Sequence, residues 1–403
     1  MSKENLPLEG KLIAFFHQSS DMYGSDKVLL YLAEGVLRLG GKPVVLVPNA
    51  GPLTCEFTLR NIEFHILPML KITRARLSLK GLFGLLCELC IALPAYDRIF
   101  GSRHVDLVHS NTLAVLGGAL WSRRRGIPHL WHVHEIIEHP RIAAYTFPLL
   151  LRIFADQVVC NSNATYHWLL GVQSGLKKKM RVIWNGVHGP RHMEQDCVEQ
   201  IYRRFRPAGS QLAIGLVGRI NRWKGHGLLL NAIELLHKRG VGNFSVVFMG
   251  SPPPGQENFE VELKQRIAQS PLRDHIVVEG FSSEIWPAYA ALDIVCVPST
   301  EPEPFGLVAV EAMAAEKPLV VSRFGGLIEI VVDGITGLTF NPGDATSLAA
   351  ELEKLLTDAA LRRRLGRAGK ERFDSEFSVE KMQIQFSEIF ESMISDHSHG
   401  MNL

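Results

Sequence analysis

Several absences narrow what this chain can be. No G-x-G-x-x-G follows any stretch that reads as a strand, which argues against a nicotinamide dehydrogenase. No D-x-D occurs anywhere, so the short acidic motif that often holds a divalent metal on a diphosphate is missing. No window holds 18 apolar residues free of charge; the longest candidates, around Leu82 to Tyr96 and Tyr145 to Ala155, are broken by Glu88 and Arg152, and no membrane-spanning helix is expected. Neither sign of charge dominates: 43 Lys and Arg against 41 Asp and Glu leave a net +2, which disfavours general nucleic-acid binding and leaves a local basic patch to be sought by position. Cysteine is sparse. Cys55, Cys87, Cys90, Cys160, Cys197 and Cys296 are scattered through apolar contexts rather than spaced as a disulfide framework, which suits a reducing cytosol. Cys87 and Cys90 form a C-x-x-C within "LLCELC", without a second pair or a histidine cluster, and read as core packing rather than a zinc or redox site. The N-terminal "MSKENLPLEGK" is polar and lacks an apolar signal core, so a cytoplasmic location is the expectation.

What is present is a rhythm. At 403 residues, 46% of them hydrophobic, the chain is too long for one ordinary core, and two domains are expected. From Lys11 to about Val187 the apolar runs "LIAFF", "PVVLVP", "EFHIL", "VDLVHS", "IPHLWHVH", "ADQVVCNS" and "RVIWNGV" alternate with amphipathic stretches such as "DKVLLYLAEGVLRLG". Strands that are apolar throughout and separated by helices indicate a parallel sheet covered on both faces. The stretch from Gly189 to Gln211 is charged and has no strand candidate; a second series, "LAIGLVG", "FSVVFMG", "HIVVEG", "LDIVCVPS", "KPLVVS" and "TGLTF", follows it. The pattern predicts an α/β protein of two doubly wound domains, 1–187 and 211–375, joined by a linker at 188–210 and facing a central cleft. An amphipathic helix over 376–403 is expected to pack back on the first domain.

Ligands of open α/β sheets lie beyond the carboxyl ends of the strands, where helix N-termini point at them. In "PSTEPEPFGLVAVEAMAAE", Glu303 falls in such a strand-to-helix loop and Glu311 about a turn and a half into the helix, so both can face one ligand. Each carboxylate suits a pair of neighbouring hydroxyls on a ribose or hexose, although a loop acid and a paired helical acid read equally as ordinary structure. Pro304 restricts Glu303, and Gly306 leaves room for a ligand at the backbone N–H groups of the helix start. "LAIGLVGRINRWKGHG" places Arg219 and Lys224 in another such loop, two cations beside a helix N-terminus where a diphosphate fits. Phe324, Gly325 and Gly326 form a third loop that can bring N–H groups to a ligand or simply make a tight turn. In the first domain Tyr23, Gly24 and Ser25 lie between strand and helix, with Asp26 as an early-turn acid, while "HVHEI" sets His134 and Glu135 at a strand's carboxyl end.

Together these residues resemble the retaining glycosyltransferases of family 4, which have the GT-B fold, over nearly the whole chain. The strongest element is E-x7-E, Glu303 to Glu311, inside "PSTEPEPFGLVAVEAMAAEKPLVVSRFGGLIEIVVDGITGL"; "VGRINRWKG", "VVCNSNATYHWL", "VIWNGV" and "HVHEI" follow the family in order. The resemblance implies that Glu311 binds the donor ribose and Glu303 the donor sugar. Arg219 and Lys224 would hold the diphosphate, assisted by backbone at Phe305, Gly306 and Leu307. It implies transfer from a UDP- or GDP-linked sugar to a hydroxyl of a glycan or lipid-linked acceptor, with retention, without metal or other cofactor, and with front-side attack as a leading account. "YGSD" departs from the glycine-glycine-small-acid run often seen in the family's first loop: Tyr23 narrows the loop that would carry acceptor and sugar geometry.

Lys71, Arg74, Arg76 and Lys80, with no acid among them, point to an anionic membrane surface or a lipid-diphosphate acceptor, or else to a solvated loop. Arg123 to Arg125 suit a helix C-terminus without any partner. The favoured reading is a cytoplasmic, membrane-peripheral sugar transferase building a bacterial-type surface glycan such as lipopolysaccharide or capsule. A nucleotide-sugar epimerase or hydrolase on the same fold, or a catalytically silent sugar-nucleotide binding subunit, stands beside it.

Overall fold

The computed structural model describes residues 6–70, 79–190, 193–282 and 285–400. Contacts divide the chain into two compact units, Met1–Gly186 with Val379–Leu403, and Val187–Ser378. The α/β alternation legible in the sequence is realised in both.

In the first unit the order is β1 (Leu12–His17), α1 (Gly24–Arg38), β2 (Lys42–Val47), α2 (Pro52–Leu59), β3 (Glu63–Ile66), α3 (Leu79–Phe100), β4 (Leu107–Asn111), α4 (Gly117–Arg125), β5 (His129–Val133), α5 (Arg141–Phe154), β6 (Gln157–Cys160), α6 (Asn163–Val172) and β7 (Met180–Val182). The strands pair in parallel in the order β3-β2-β1-β4-β5-β6-β7. Every residue of β1, β4 and β5 is buried, which explains their lack of polar alternation. "RVIWNGV" contributes only the short β7, because the chain leaves the sheet before its tryptophan.

The second unit contains α7 (Gln195–Arg204), β8 (Leu212–Val217), α8 (His226–Lys238), β9 (Phe244–Met249), α9 (Asn258–Ala268), β10 (Ile276–Glu279), α10 (Trp286–Ala291), β11 (Ile294–Val297), α11 (Leu307–Ala314), β12 (Leu319–Ser322), α12 (Leu327–Ile330), β13 (Leu338–Phe340), α13 (Ala345–Thr357) and α14 (Ala359–Glu376). Its parallel sheet runs β10-β9-β8-β11-β12-β13. Leu229, Ile233 and Leu236 of α8 and Leu348, Leu352 and Leu355 of α13 close one core with Ile214, Leu216 and Phe248 of the sheet. The stretch expected as a linker instead carries α7, and Arg206 just beyond it pairs with Asp293 at 2.5 Å and donates to the Ala291 carbonyl at 2.9 Å. Those bonds tie the segment into the second unit.

The final helix, α15 (Val379–Gly400), belongs to the first unit. Gln383 Nε2 donates to the Tyr31 carbonyl at 2.5 Å, and its Oε1 accepts from Arg38. Gly35 permits this approach, since a Cβ there would lie 2.8 Å from Gln383 Cγ. Phe386 and Phe390 pack on Phe15, His109 and His132. Full burial of two phenylalanines contributes roughly 1.5–3 kcal/mol each.

Lys71, Arg74 and Arg76, and the side chain of Lys80, lie outside what is described. Cys90 is exposed rather than packed in a core, as are Cys55 and Cys197, while Cys160 and Cys296 are buried. Among the described residues no helix is long and apolar enough to cross a membrane.

Candidate functional site

Each sheet has a point where the chain stops adding strands on one side and starts on the other. In the second unit this reversal lies between β8 and β11, so the loops leaving those strands stand side by side at the carboxyl edge. The β8–α8 loop is shaped by Asn221, whose Oδ1 accepts from the N–H of Trp223 at 3.2 Å and of Lys224 at 3.0 Å. Thr300 N–H donates to the Trp223 carbonyl at 2.8 Å, sewing this loop to the β11–α11 loop, and Arg222 pairs with Glu301 across the same seam. Gly225, at φ +79°, is required there because a Cβ would lie 1.9 Å from the Pro298 carbonyl oxygen.

The seam brings Lys224 and Glu303 together. Lys224 Nζ lies 2.5 Å from Glu303 Oε1 and 4.3 Å from the centre of the Trp223 ring. Glu303 Oε2 accepts from Ser299 Oγ at 2.7 Å, so both carboxylate oxygens are engaged although the residue is only 5% exposed. Its carbonyl accepts from the Gly326 N–H at 2.7 Å. That bond favours the tight-turn reading of the glycine pair: the Gly326 N–H is spent on Glu303. Gly325 is there because a Cβ would meet the Glu303 carbonyl oxygen at 2.3 Å, and the glycine pair shapes the acid's backbone.

Glu311 is the fifth residue of α11 and is buried. Tyr289 of α10 donates its hydroxyl to Glu311 Oε2 at 3.0 Å. Burial first, then the charge and hydrogen bond of Glu311, hold the Tyr289 phenol far above its ordinary range, so it remains a donor. Gly306, at φ +115°, leads into Leu307 at the start of α11, with Phe305 buried beneath. Arg219 follows β8 in the Lys224 loop and is partly exposed.

In the first unit the reversal lies between β1 and β4. His17 and Asn111 end these strands opposite one another. Asn111 Nδ2 donates to His17 Nδ1 and to the Ser25 carbonyl, both at 3.0 Å, and His17 Nε2 lies 2.7 Å from Asp26 Oδ1. Asp26 also accepts from Ser19 Oγ and, at 3.0 Å, from the Tyr23 N–H. Gly24 and Ser25 therefore open α1 rather than extend a loop, with Tyr23 as N-cap. His134, just past β5, lies 2.8 Å through Nε2 from Asn111 Oδ1. Burial above all, with His17 adding to it and Asp26 opposing, pushes the His134 imidazole down to about 3. Glu135 accepts from the N–H groups of Leu113 and His134, both at 3.1 Å, yet burial raises its carboxyl to about 7.

Sequence reasoning missed His17, Asn111, Tyr289 and Ser299. For His17 a signal existed: it is the polar residue closing the otherwise apolar β1, which borders the reversal, whereas Asn111 follows two other polar residues, His109 and Ser110, in β4. Tyr289 and Ser299 carried none. Among the described residues no cluster of three or more His, Cys, Asp or Glu is arranged to hold a metal ion.

Two family descriptions match the chain: "Glycosyltransferase Family 4" over residues 22–188 and "Glycosyl transferases group 1" over residues 199–372. A glycosyltransferase of Methanocaldococcus jannaschii is 29% identical over 373 residues, covering 87% of this chain and 97% of its own. The capsular polysaccharide biosynthesis glycosyltransferase CapM of Staphylococcus aureus is 23% identical, covering 62% of this chain and 66% of its own. Among solved structures, Anabaena HepE in complex with UDP and glucose superposes with a TM-score of 0.81 at 23% identity, over 94% of this chain and 99% of its own. With the two family matches spanning most of its length and both units built as doubly wound sheets, the chain belongs to the family 4 glycosyltransferases of GT-B fold.

Proposed function

We propose that the protein transfers a sugar, with retention at the anomeric carbon and without metal, from a nucleotide-diphosphate sugar to a hydroxyl of a glycan or lipid-linked acceptor in surface-polysaccharide biosynthesis. The observation that carries this reading is the buried Lys224–Glu303 pair at the strand reversal. In this pair each charge is compensated by the other. A diphosphate, with more negative charge than one carboxylate, competes for Lys224 and, with Arg219 and the N-terminus of α8, forms the anion site. Glu303 is thereby freed to accept the hydroxyls of the donor sugar, while Glu311 takes the ribose and the backbone of Phe305, Gly306 and Leu307 faces the phosphates. A cation already in place stabilises the departing diphosphate directly. With Ser299 still donating to it and the donor's hydroxyls engaged, the Glu303 carboxylate is a poor covalent nucleophile, which favours front-side attack assisted by the donor's phosphate.

In the first unit His134 and the Tyr23–Ser25 turn are assigned to sugar and acceptor. A neutral imidazole with so low a pKa is a hydrogen-bond acceptor rather than a general base at neutral pH. Peripheral attachment to the inner face of an anionic membrane is supported by α5, which exposes Ile142, Tyr145, Leu149 and Ile153 at helical spacing, carries Arg141 and Arg152 and has no acid. Sedimentation with phosphatidylglycerol vesicles but not with phosphatidylcholine, weakened by Leu149→Glu, is the expected result; equal sedimentation with both lipids removes the electrostatic part.

The test of the donor site is calorimetric titration with UDP, GDP, ADP and TDP, with and without magnesium. Selective binding of one diphosphate without magnesium supports the reading. Absence of binding, or binding that requires magnesium, removes the donor-site assignment; binding without turnover moves the silent-subunit reading forward, and rapid release of free sugar in the absence of acceptor favours a hydrolase.

A further inference from the structure

The polar chain at the first unit's strand reversal has a direction. The Ser25 carbonyl oxygen can only accept, so the group of Asn111 that faces it at 3.0 Å is the amide nitrogen, which can only donate. The same nitrogen faces His17 Nδ1 at 3.0 Å, and that ring atom must therefore be the bare acceptor. The His17 proton is consequently on Nε2, where it is donated to Asp26 Oδ1 at 2.7 Å. With its nitrogen so placed, Asn111 turns Oδ1 towards His134 Nε2 at 2.8 Å, and because an amide oxygen only accepts, His134 carries its proton on Nε2. His134 Nδ1 is left as a lone pair; no side chain among the described residues bonds it, and it is not among the atoms sealed from solvent.

We propose that Asp26, His17 and Asn111 are positioning residues that lock His134 in the Nε2–H tautomer and so present its Nδ1 lone pair to a sugar hydroxyl. The inference rests on the reading above that His134 meets the sugar or the acceptor. The chain also explains why a carboxylate sits at the third position of α1. Asp26 holds the Tyr23 N–H with one oxygen and His17 with the other, so the turn at Tyr23 to Ser25 and the ring of His134 are parts of one hydrogen-bonded assembly. The charged and titratable groups facing this assembly are Asp26 from α1, His17 from β1, His109 from β4, His132 from β5 and Glu135 beside His134. His132 and His109 make no hydrogen bond among the described residues. The His132 ring lies 4.0 Å, centre to centre, from that of His134. Neither supplies a competing partner that would reverse the tautomer.

The test is long-range proton–nitrogen NMR of the full-length protein labelled in its histidine rings, with His17 and His134 assigned by single replacement. Both are expected as neutral Nε2–H tautomers in the wild type. Asn111→Leu keeps similar volume but removes the chain: His134 should then show averaged ring-nitrogen shifts. Release of nucleoside diphosphate should fall about tenfold or more, measured with whichever of UDP-, GDP-, ADP- and TDP-glucose the titration selects, while affinity for the diphosphate is unchanged. An Nδ1–H tautomer at His134 in the wild type overturns the chain, and this measurement needs no variant to fold. Unchanged turnover in a folded Asn111→Leu protein overturns the positioning role. If His134→Ala also turns over normally, the fault lies in the reading of His134 itself; if His134→Ala is slow but Asn111→Leu is not, only the positioning inference fails.

Discussion

The two strand reversals solve the same topological situation with opposite electrostatics. In the second unit the loops beside β8 and β11 meet through ions: Lys224 on Glu303, Arg222 on Glu301. In the first, the residues beside β1 and β4 meet chiefly through neutral groups, an amide and two imidazoles, with Asp26 the single carboxylate of the chain. A charged, exchangeable pair suits an edge that receives an anion and releases it. A directed neutral network suits an edge that must hold one ring in one orientation, because a donor cannot be swapped for an acceptor without breaking its neighbour.

If the comparison is right, the largest loss comes from the charged edge. Glu303→Gln should lower turnover by about 10²- to 10³-fold. The protein should still fold, because Ser299 and the Gly326 N–H retain partners; steady-state rates beside a circular dichroism spectrum check both. Lys224→Met leaves Glu303 buried without its cation and should destabilise the second unit by roughly 3 kcal/mol. The coupling of the pair, read from a denaturant-melt cycle with the Glu303→Gln single and double variants, should be favourable; strict additivity would mean that the two groups do not interact.

A smaller effect is expected at the backbone clamp. Gly325→Ala, at φ +59° with its Cβ directed at the Glu303 carbonyl, should cost roughly 1–3 kcal/mol and weaken diphosphate binding, whereas Gly343→Ala, also at positive φ but in open space, should cost stability without changing affinity. Calorimetry on both variants separates strain from site geometry.

The neutral edge should show itself in pH. Burial holds His109, His132 and His134 well below the ordinary 6.5, so they stay neutral in the native protein while the unfolded chain takes up protons below about 6.5. Stability from these groups is present above that pH and is lost as pH falls, by at most about 1.4 kcal/mol per pH unit for each proton. Glu135 opposes them: its folded value near 7 against an ordinary 4.5 favours the native state at low pH, and that contribution is lost as pH rises towards 7. His132→Phe should flatten the slope of urea stability between pH 6.5 and 5. An unchanged slope would show that His132 is not held neutral by burial.

Much of the β11–α11 loop was legible because it is local. Glu303 and Glu311 are eight positions apart across one loop and one helix, and the proline, glycine and apolar pattern between them specifies where the helix begins. The strands were legible for a related reason, since a sheet covered on both faces demands uninterrupted apolar runs. Three things were not. The segment from 195 to 204 looked like a linker because its helix is charged and buries no residue fully. The Gly325–Gly326 pair looked like a possible ligand loop because nothing local reveals that Glu303's backbone passes within contact. That His17, Asp26, Asn111 and His134 form one hydrogen-bonded chain was not legible, because 117 positions separate the first from the last.

The sequence by itself determined the alternation of strand and helix, hence two doubly wound sheets, and the carboxylates and cations placed at the carboxyl edge of the second. The tertiary structure alone decided which partners they take: that Lys224 rests on Glu303, that a glycine pair serves an acid's backbone, and that an amide at the end of β4 sets the proton on a histidine beyond β5. The first set follows from periodicity, which acts over a few residues. The second depends on sheet order and register, which bring distant strand ends together only when the core closes.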